Sequence, residues 1–118
     1  MRNILVVDDE DKIRNIYIKL LEDEGYVVFE SSNVSVAYEI ATSNTIDLII
    51  LDIKMPENGG NILYEVLQFL QVKSKILVAS VYPLEIQKMM VPDAADYYDK
   101  SHNLDILLEK ITTILTDN

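Results

Sequence analysis

Short apolar runs and longer amphipathic stretches alternate along the whole sequence. A short apolar run bounded by turn-forming residues is typical of a strand that is buried on both faces of a sheet. The first run is followed directly by Asp8 and the third ends in Asp52, so both strands are expected to finish in a carboxylate. The predicted strands lie at residues 4–7, 26–29, 48–52, 75–80 and 95–99.

The stretch after each strand carries the apolar spacing of a helix with one buried face. The first helix is expected to end at Gly25, and the second to begin after Asn33, whose side chain suits an N-cap. The fourth helix must be short, because it lies between Pro83 and Pro92. The residues expected to face inward are Ile13, Ile16, Tyr17, Leu20 and Leu21 in the first helix, Val36, Ala37, Ile40 and Ala41 in the second, Ile62, Leu63, Val66, Leu67 and Leu70 in the third, and Leu104, Leu107, Leu108, Ile111, Ile114 and Leu115 in the fifth.

Five consecutive strand–helix units predict the fold class. Strands that alternate with helices form a parallel sheet with right-handed crossovers and helices on both faces. We therefore expect an α/β fold of the doubly wound, flavodoxin-like (βα)5 type, with five parallel strands in the order 2-1-3-4-5. In such a sheet the carboxyl ends of all strands lie at one edge, where ligands bind.

Composition narrows the class of protein. The 118 residues suit a single domain, and the absence of cysteine excludes both a disulfide scaffold and a thiolate metal site. A formal net charge of −10 argues against direct binding to nucleic acid. No apolar run approaches membrane-spanning length, so we expect no membrane insertion and a soluble, cytoplasmic protein.

Polar residues follow four of the five predicted strands. Asp8 and Asp9 end the first strand, Asp52 the third and Ser80 the fourth, while Lys100 follows the fifth. The second strand, which ends without a reactive group, is the one that the predicted order places at the far edge of the sheet. These five side chains are therefore expected to converge.

Three carboxylates packed together repel one another unless a cation joins them. Lys100 supplies one positive charge, and a hard divalent ion bound by carboxylates, water and a phosphate would supply more, which is how Mg²⁺ binds. This arrangement favours phosphoryl transfer. Asp52 would act as the nucleophile, Lys100 and magnesium would neutralise the phosphoryl oxygens, and Ser80 would donate a hydrogen bond.

The sequence resembles the receiver domain of bacterial two-component response regulators over essentially its whole length. The resemblance rests on four features in order along the chain. They are the acidic pair Asp8-Asp9, the segment Asp52-Ile53-Lys54-Met55-Pro56 with Gly60, the hydroxyl of Ser80 and the amine of Lys100.

The resemblance implies a phosphorylation-dependent signalling switch. Asp52 would accept a phosphoryl group from a sensor histidine kinase or a histidine phosphotransfer protein. Magnesium would be held by Asp9, Asp52 and the backbone carbonyl of Lys54, with Asp8 acting through water. Such a protein catalyses only its own phosphoryl transfer and hydrolysis, so it is not expected to be an enzyme.

The same resemblance predicts how the signal leaves the site. Ser80 would move toward the phosphate, and Tyr97 would turn inward as the aromatic switch residue. The face made by the fourth helix, the fifth strand and the fifth helix would then change and control a protein target, or form a phosphorylation-dependent dimer. We expect residues 1–118 to be a single receiver domain without an output domain.

The sequence departs from the usual pattern of the family at several positions. Ser101 stands where the family usually has a proline, and Val81 where it favours alanine or glycine. Gly59 occupies a position where a polar residue is common, and Asp93 one that is often glycine. Lys54, two residues after the proposed acceptor, lies where it could shield a phosphate from water.

Competing interpretations remain. Taken singly, Asp8-Asp9 could start a helix, Ser80 could be a turn residue and Lys100 a solvated charge. A mononucleotide binder would need a glycine-, serine- or threonine-rich cradle where the acidic pair stands. An aspartate-nucleophile phosphatase would usually carry a second aspartate where Lys54 stands. A receiver-like interaction module that works without phosphate stays open.

Overall fold

The computed structural model describes residues 2–56 and 59–116. Strands and helices alternate along it, as the sequence pattern predicts. The strands are β1 (Asn3–Val7), β2 (Val27–Ser31), β3 (Leu48–Leu51), β4 (Lys75–Ser80) and β5 (Asp96–Asp99). The helices are α1 (Asp11–Asp23), α2 (Val34–Ser43), α3 (Gly59–Phe69), α4 (Leu84–Met90) and α5 (Leu104–Thr116).

The five strands form one parallel sheet in the order β2-β1-β3-β4-β5, which confirms the predicted fold class. The register pairs Val7 with Leu51, Leu51 with Val78, and Ser80 with Asp99. The carboxyl ends of β1, β3, β4 and β5 therefore lie side by side at one edge. Among the described residues, no helix combines the length and the apolar character needed to cross a membrane.

Apolar side chains cover both faces of the sheet. One cluster packs α2, α3 and α4 against it and includes Val7, Leu51 and Val78. The other packs α1 and α5 against the opposite face and includes Val6 and Ile50. Because β3 has neighbours on both sides and helices on both faces, all four of its residues are buried, whereas β2 at the edge is partly exposed.

The local signals at helix ends are confirmed. The Asn33 side chain accepts a hydrogen bond from the Val36 backbone N–H at 2.9 Å, which caps α2. Gly25 has a φ of +90°, a conformation that side chains disfavour, and it follows the end of α1. Helix α4 has only seven residues and begins directly after Pro83, as the two prolines predicted.

The predicted inward face of α3 was partly wrong. Ile62, Val66 and Leu70 are 50%, 37% and 46% exposed, while Leu63 and Leu67 are buried together with Tyr64. Helix α3 is turned so that the ridge with Gly60 contacts the sheet, and Leu63, Tyr64 and Leu67 follow on that side. Two further residues expected inside, Ile16 of α1 and Val36 of α2, are exposed as well.

Candidate functional site

Two carboxylates are held at the edge of the sheet by the strands that precede them. The Asp8 backbone N–H donates to the Ser31 carbonyl at 3.1 Å, and the Asp52 backbone N–H donates to the Val7 carbonyl at 3.0 Å. Each aspartate therefore continues the hydrogen bonding of its strand by one residue. Because β1 and β3 are neighbours in the sheet, the two side chains enter the same space.

Lys100 joins these two carboxylates. Its Nζ lies 2.7 Å from Asp8 Oδ2 and 2.9 Å from Asp52 Oδ2. Asp8 and Asp52 are 2% and 3% exposed, and the Lys100 side chain is 6% exposed. A single ammonium group thus balances two buried carboxylates and leaves the trio with one net negative charge.

The second oxygen of each carboxylate accepts a backbone hydrogen bond. The Glu10 N–H donates to Asp8 Oδ1, and the Lys54 N–H donates to Asp52 Oδ1, both at 2.9 Å. Both bonds span two residues, so the loop after each strand folds back onto its own aspartate. These bonds fix the orientation of the carboxylates before any ligand binds.

Burial and neighbouring charges shift the pKa values of Asp52 and Lys100 in opposite directions. Burial raises the pKa of the Asp52 carboxyl, and this outweighs the lowering caused by the hydrogen bond and charge of Lys100. Burial lowers the pKa of Lys100, but its hydrogen bonds to Asp8 and Asp52 outweigh this and raise it. Lys100 therefore stays protonated at neutral pH and can act as a fixed positive charge.

Asp9 completes an acidic cluster on the solvent side. It is exposed, and one carboxylate oxygen from each of Asp8, Asp9 and Asp52 lies within 4.8 Å of the others. Carboxylate oxygens are the ligands that a hard divalent cation prefers, and the exposure of Asp9 leaves room for water in the same coordination sphere. The donor set therefore fits Mg²⁺.

Ser80 lies next to this cluster through the backbone of β4 and β5. The Lys100 N–H donates to the Ser80 carbonyl at 2.9 Å, so the two residues are fixed relative to each other. The Ser80 side chain is buried, and its Oγ accepts a hydrogen bond from the Tyr82 N–H at 3.3 Å. The Ser80 hydroxyl oxygen is thus hydrogen bonded within its own loop, beside the acidic cluster.

The comparison with known protein families shows which family carries a site of this kind. The family model of the response regulator receiver domain matches residues 4–112. The chain belongs to this family.

Known relatives and solved structures similar to this chain are also response regulators. A segment of 57 residues, 48% of this chain, is 46% identical to the transcriptional regulatory protein SrrA of Staphylococcus aureus and covers 24% of that protein. The response regulator TrrA of Thermotoga maritima, solved in complex with Mg²⁺-BeF, superimposes with a TM-score of 0.87 at 33% identity. That match covers 97% of this chain and 99% of TrrA.

A response regulator of Burkholderia pseudomallei, solved with a phosphorylated aspartic acid, a calcium ion and citrate, has a TM-score of 0.84 at 25% identity. The match covers 98% of this chain and 70% of that protein. This chain is thus a receiver domain, a signalling domain rather than a classical enzyme. The resemblance inferred from the motif residues is confirmed.

Tyr97 lies away from the acidic cluster of the receiver domain, in the core beneath α4. Its ring is buried, and its hydroxyl donates to the Val91 carbonyl and accepts from the Ala94 N–H at 3.3 Å. The ring therefore lies inward in this structure and holds the loop between α4 and β5. That it changes position on phosphorylation stays a prediction, as does the metal bond from the Lys54 carbonyl.

The departure from the usual receiver pattern at Ser101 has a structural explanation. The Ser101 N–H and Oγ both donate to Asp99 Oδ1, at 2.8 and 2.7 Å, which forms a tight turn after β5. A proline at this position would lack that N–H. The side chain of Val81, a second departure, is 51% exposed. At a third position, the ammonium group of Lys54 lies 5.5 Å from the centre of the Tyr82 ring, which is within the range of a cation–π contact.

Sequence reasoning missed two polar residues next to the site. The Arg14 guanidinium donates to the Asp8 carbonyl at 2.8 Å and pairs with Glu30 at 2.9 Å, so it ties α1 to the end of β1. Gln87 of α4 is completely buried between the ends of β4 and β5. The sequence signal for Gln87 is a polar residue three positions after Leu84 and four before Val91, where an amphipathic helix would carry an apolar one.

Proposed function

We propose that Asp52 of this receiver domain accepts a phosphoryl group and so switches a signalling surface. The observation that carries this proposal is the position of Lys100, which contacts the carboxylates of Asp52 and Asp8 beside the exposed carboxylate of Asp9. A nucleophilic carboxylate, a fixed ammonium group and a set of oxygen ligands for a cation are thereby collected at one open edge. These are the groups that phosphoryl transfer to an aspartate requires.

The transfer itself conserves atoms and charge. An oxygen of the Asp52 carboxylate attacks the phosphorus of a phosphohistidine on the donor protein, the P–O bond forms, and the P–N bond breaks. The imidazole leaves and takes up a proton from water, and the product on this chain is an acyl phosphate. Lys100 neutralises charge on the phosphoryl oxygens, and Ser80 donates its hydroxyl hydrogen to one of them.

Magnesium would supply the remaining positive charge. Asp8, Asp9 and Asp52, with the backbone carbonyl of Lys54, are the residues that would hold it. The complex of TrrA with Mg²⁺-BeF and the phosphorylated aspartate of the Burkholderia protein support this chemistry for related sites. The phosphoryl donor would be a sensor histidine kinase or a histidine phosphotransfer protein.

The signal would leave through the face formed by α4, β5 and α5. A phosphate at Asp52 favours the active conformation only through contacts that are better there, and the hydroxyl of Ser80 and the ammonium group of Lys100 are the candidates. Movement of Ser80 would be followed by Tyr97, whose ring lies beneath α4. A protein target would then recognise the changed face.

Intact mass after incubation with acetyl phosphate tests the proposal. The wild-type protein should gain the mass of one phosphoryl group in the presence of Mg²⁺, and neither the EDTA-treated protein nor the Asp52→Asn variant should do so. Asp23→Asn, which changes an exposed aspartate on α1, is the matched control and should be phosphorylated normally. Folded wild-type protein that gains no mass would reject the proposal in favour of a phosphate-independent interaction module.

A further inference from the structure

Gln87 occupies an unusual place for an amide side chain. It lies in the middle of α4 and is 0% exposed, in a helix whose other buried or half-buried positions are apolar. A buried amide is costly unless its hydrogen bonds are made, so a glutamine at this depth requires partners.

The partners of Gln87 all belong to the end of the sheet that carries the acidic cluster. Its Nε2 donates to the Tyr82 carbonyl at 2.7 Å, to the Tyr98 carbonyl at 3.0 Å and, at 3.4 Å, to the Ser80 carbonyl. One side chain of α4 therefore contacts the last residue of β4, the loop that follows it, and β5 two residues before Lys100. The amide oxygen, Oε1, has no hydrogen-bond partner among the described residues.

Among the described residues, few other hydrogen bonds join helix α4 to the sheet. It has only seven residues, and no side chain caps its amino end, since the preceding residue is Pro83. The Ser80 carbonyl that faces Gln87 also accepts the Lys100 N–H at 2.9 Å. A shift of the Ser80–Tyr82 loop must therefore change the hydrogen bonds of the Gln87 amide.

We propose that Gln87 is a positioning residue that transmits movement of the Ser80–Tyr82 loop to helix α4. The inference rests on the proposed phosphorylation of Asp52 and adds a route to it that does not pass through the Tyr97 ring. The Tyr98 carbonyl anchors the amide to β5, and the Tyr82 carbonyl moves with the loop. The amide thus couples the loop to the helix, because it cannot follow one partner without changing its distance to the other.

Backbone amide NMR spectra with and without beryllofluoride and Mg²⁺ test this coupling. In the wild type, resonances near Asp52, such as Lys54, and resonances of α4, such as Ile86 and Met89, should both shift. In Gln87→Met, which keeps the volume but lacks the amide, the Lys54 shift should persist and the α4 shifts should fall several-fold. Gln68→Met, the same change on the exposed side of α3, should behave as the wild type.

The outcomes separate this inference from the proposed function. Wild-type α4 shifts in Gln87→Met would overturn the role of Gln87 while leaving phosphorylation intact. A wild-type protein without any shift at Lys54 would refute binding at Asp52, and the inference would fail with it. Persistent Lys54 shifts together with lost α4 shifts in Gln87→Met alone would establish the coupling.

A measurement on the wild type covers the case in which Gln87→Met does not fold. The side-chain amide protons of Gln87 should exchange slowly with solvent, because the group is buried and hydrogen bonded. Their resonances should move when beryllofluoride and Mg²⁺ are added, since the loop that carries the Tyr82 carbonyl moves. Resonances that stay in place while the Lys54 amide shifts would overturn the proposal.

Discussion

Gly60 packs directly on the backbone of Asp52. A Cβ atom at position 60 would lie 2.3 Å from the Asp52 carbonyl oxygen and 2.5 Å from the Ile53 Cα. The first turn of α3 therefore touches the chain immediately after β3, which is the segment that holds the proposed phosphoacceptor. This contact explains why glycine belongs to the motif and sets the rotation of α3.

Gly60→Ala is expected to destabilise the fold by about 2–3 kcal/mol, because backbone atoms must move to admit the methyl group. The free energy of unfolding in urea measures this effect. The phosphorylation rate should fall as well, since the displaced backbone carries Asp52.

Gly59→Ala is the matched control for this substitution. A Cβ at position 59 would meet the Val34 side chain at 2.6 Å, which can adjust more easily than backbone. Both glycines lie in the first turn of α3, so any gain in helix propensity is similar. Gly59→Ala should lower the free energy of unfolding by at least about 1 kcal/mol less than Gly60→Ala does. Equal losses of stability in the two variants would contradict the importance of the contact with Asp52.

Asp52→Asn is expected to stabilise the metal-free protein by on the order of 1 kcal/mol at neutral pH. Two buried carboxylates share one ammonium group, and burial raises the pKa of Asp52. A carboxyl with a raised pKa in the folded state favours folding at low pH and loses that contribution as the pH rises through its folded pKa. The advantage of the asparagine variant should therefore grow as the pH rises from acidic values toward neutrality.

Urea unfolding in EDTA across this range is the measurement. The surface variant Asp23→Asn should stay within about 0.5 kcal/mol of the wild type at every pH. An asparagine variant that is less stable than the wild type at neutral pH would show that the Lys100 contact outweighs the cost of burying Asp52.

Asp9→Asn should weaken Mg²⁺ binding by at least about tenfold without changing stability by more than about 0.5 kcal/mol. Asp9 is the exposed member of the acidic cluster, so its charge serves a ligand rather than the core. Calorimetric titration with MgCl₂ measures the affinity. Glu10→Gln removes one charge at the adjacent residue and should bind Mg²⁺ nearly as well as the wild type; equal weakening in both variants would indicate a general charge effect.

Tyr97→Phe should destabilise the protein by about 1 kcal/mol, because its hydroxyl bonds to the Val91 carbonyl and the Ala94 N–H are lost. Tyr64→Phe provides a control in the same core cluster, since the buried Tyr64 hydroxyl has no partner among the described residues. That variant should be as stable as the wild type or slightly more so. Similar losses in urea unfolding for both variants would argue against a specific role of the Tyr97 hydroxyl.

The fold could be predicted well from the sequence because its signals are local. A strand that is buried on both faces must be apolar throughout, and only a few stretches of the chain meet that condition. Their spacing leaves room for one helix each, which restricts the connections to parallel crossovers. The convergence of Asp8, Asp52 and Lys100 then follows from where the strands end.

The parts that could not be predicted depend on packing between distant segments. Ile62 and Val66 have the spacing of a buried face, yet the close contact of Gly60 with the backbone of Asp52 and Ile53 turns them toward solvent. Gln87 stands at a position of α4 where the helix pattern calls for an apolar residue, but the pattern does not show which carbonyls its amide meets. These carbonyls belong to Ser80, Tyr82 and Tyr98. The turn closed by Ser101 and Asp99 likewise depends on where β5 ends.

The five strand–helix units, the parallel sheet and the residues proposed for phosphoryl transfer could all be predicted, because they follow from periodicity and from the polarity of strand ends. The folded structure was needed to show which oxygens Lys100 contacts, which side of α3 is buried, and that the Gln87 amide bonds to carbonyls at the ends of β4 and β5. These features depend on distances of a few ångströms between segments far apart in the chain, and such distances are set by the packing of the whole core.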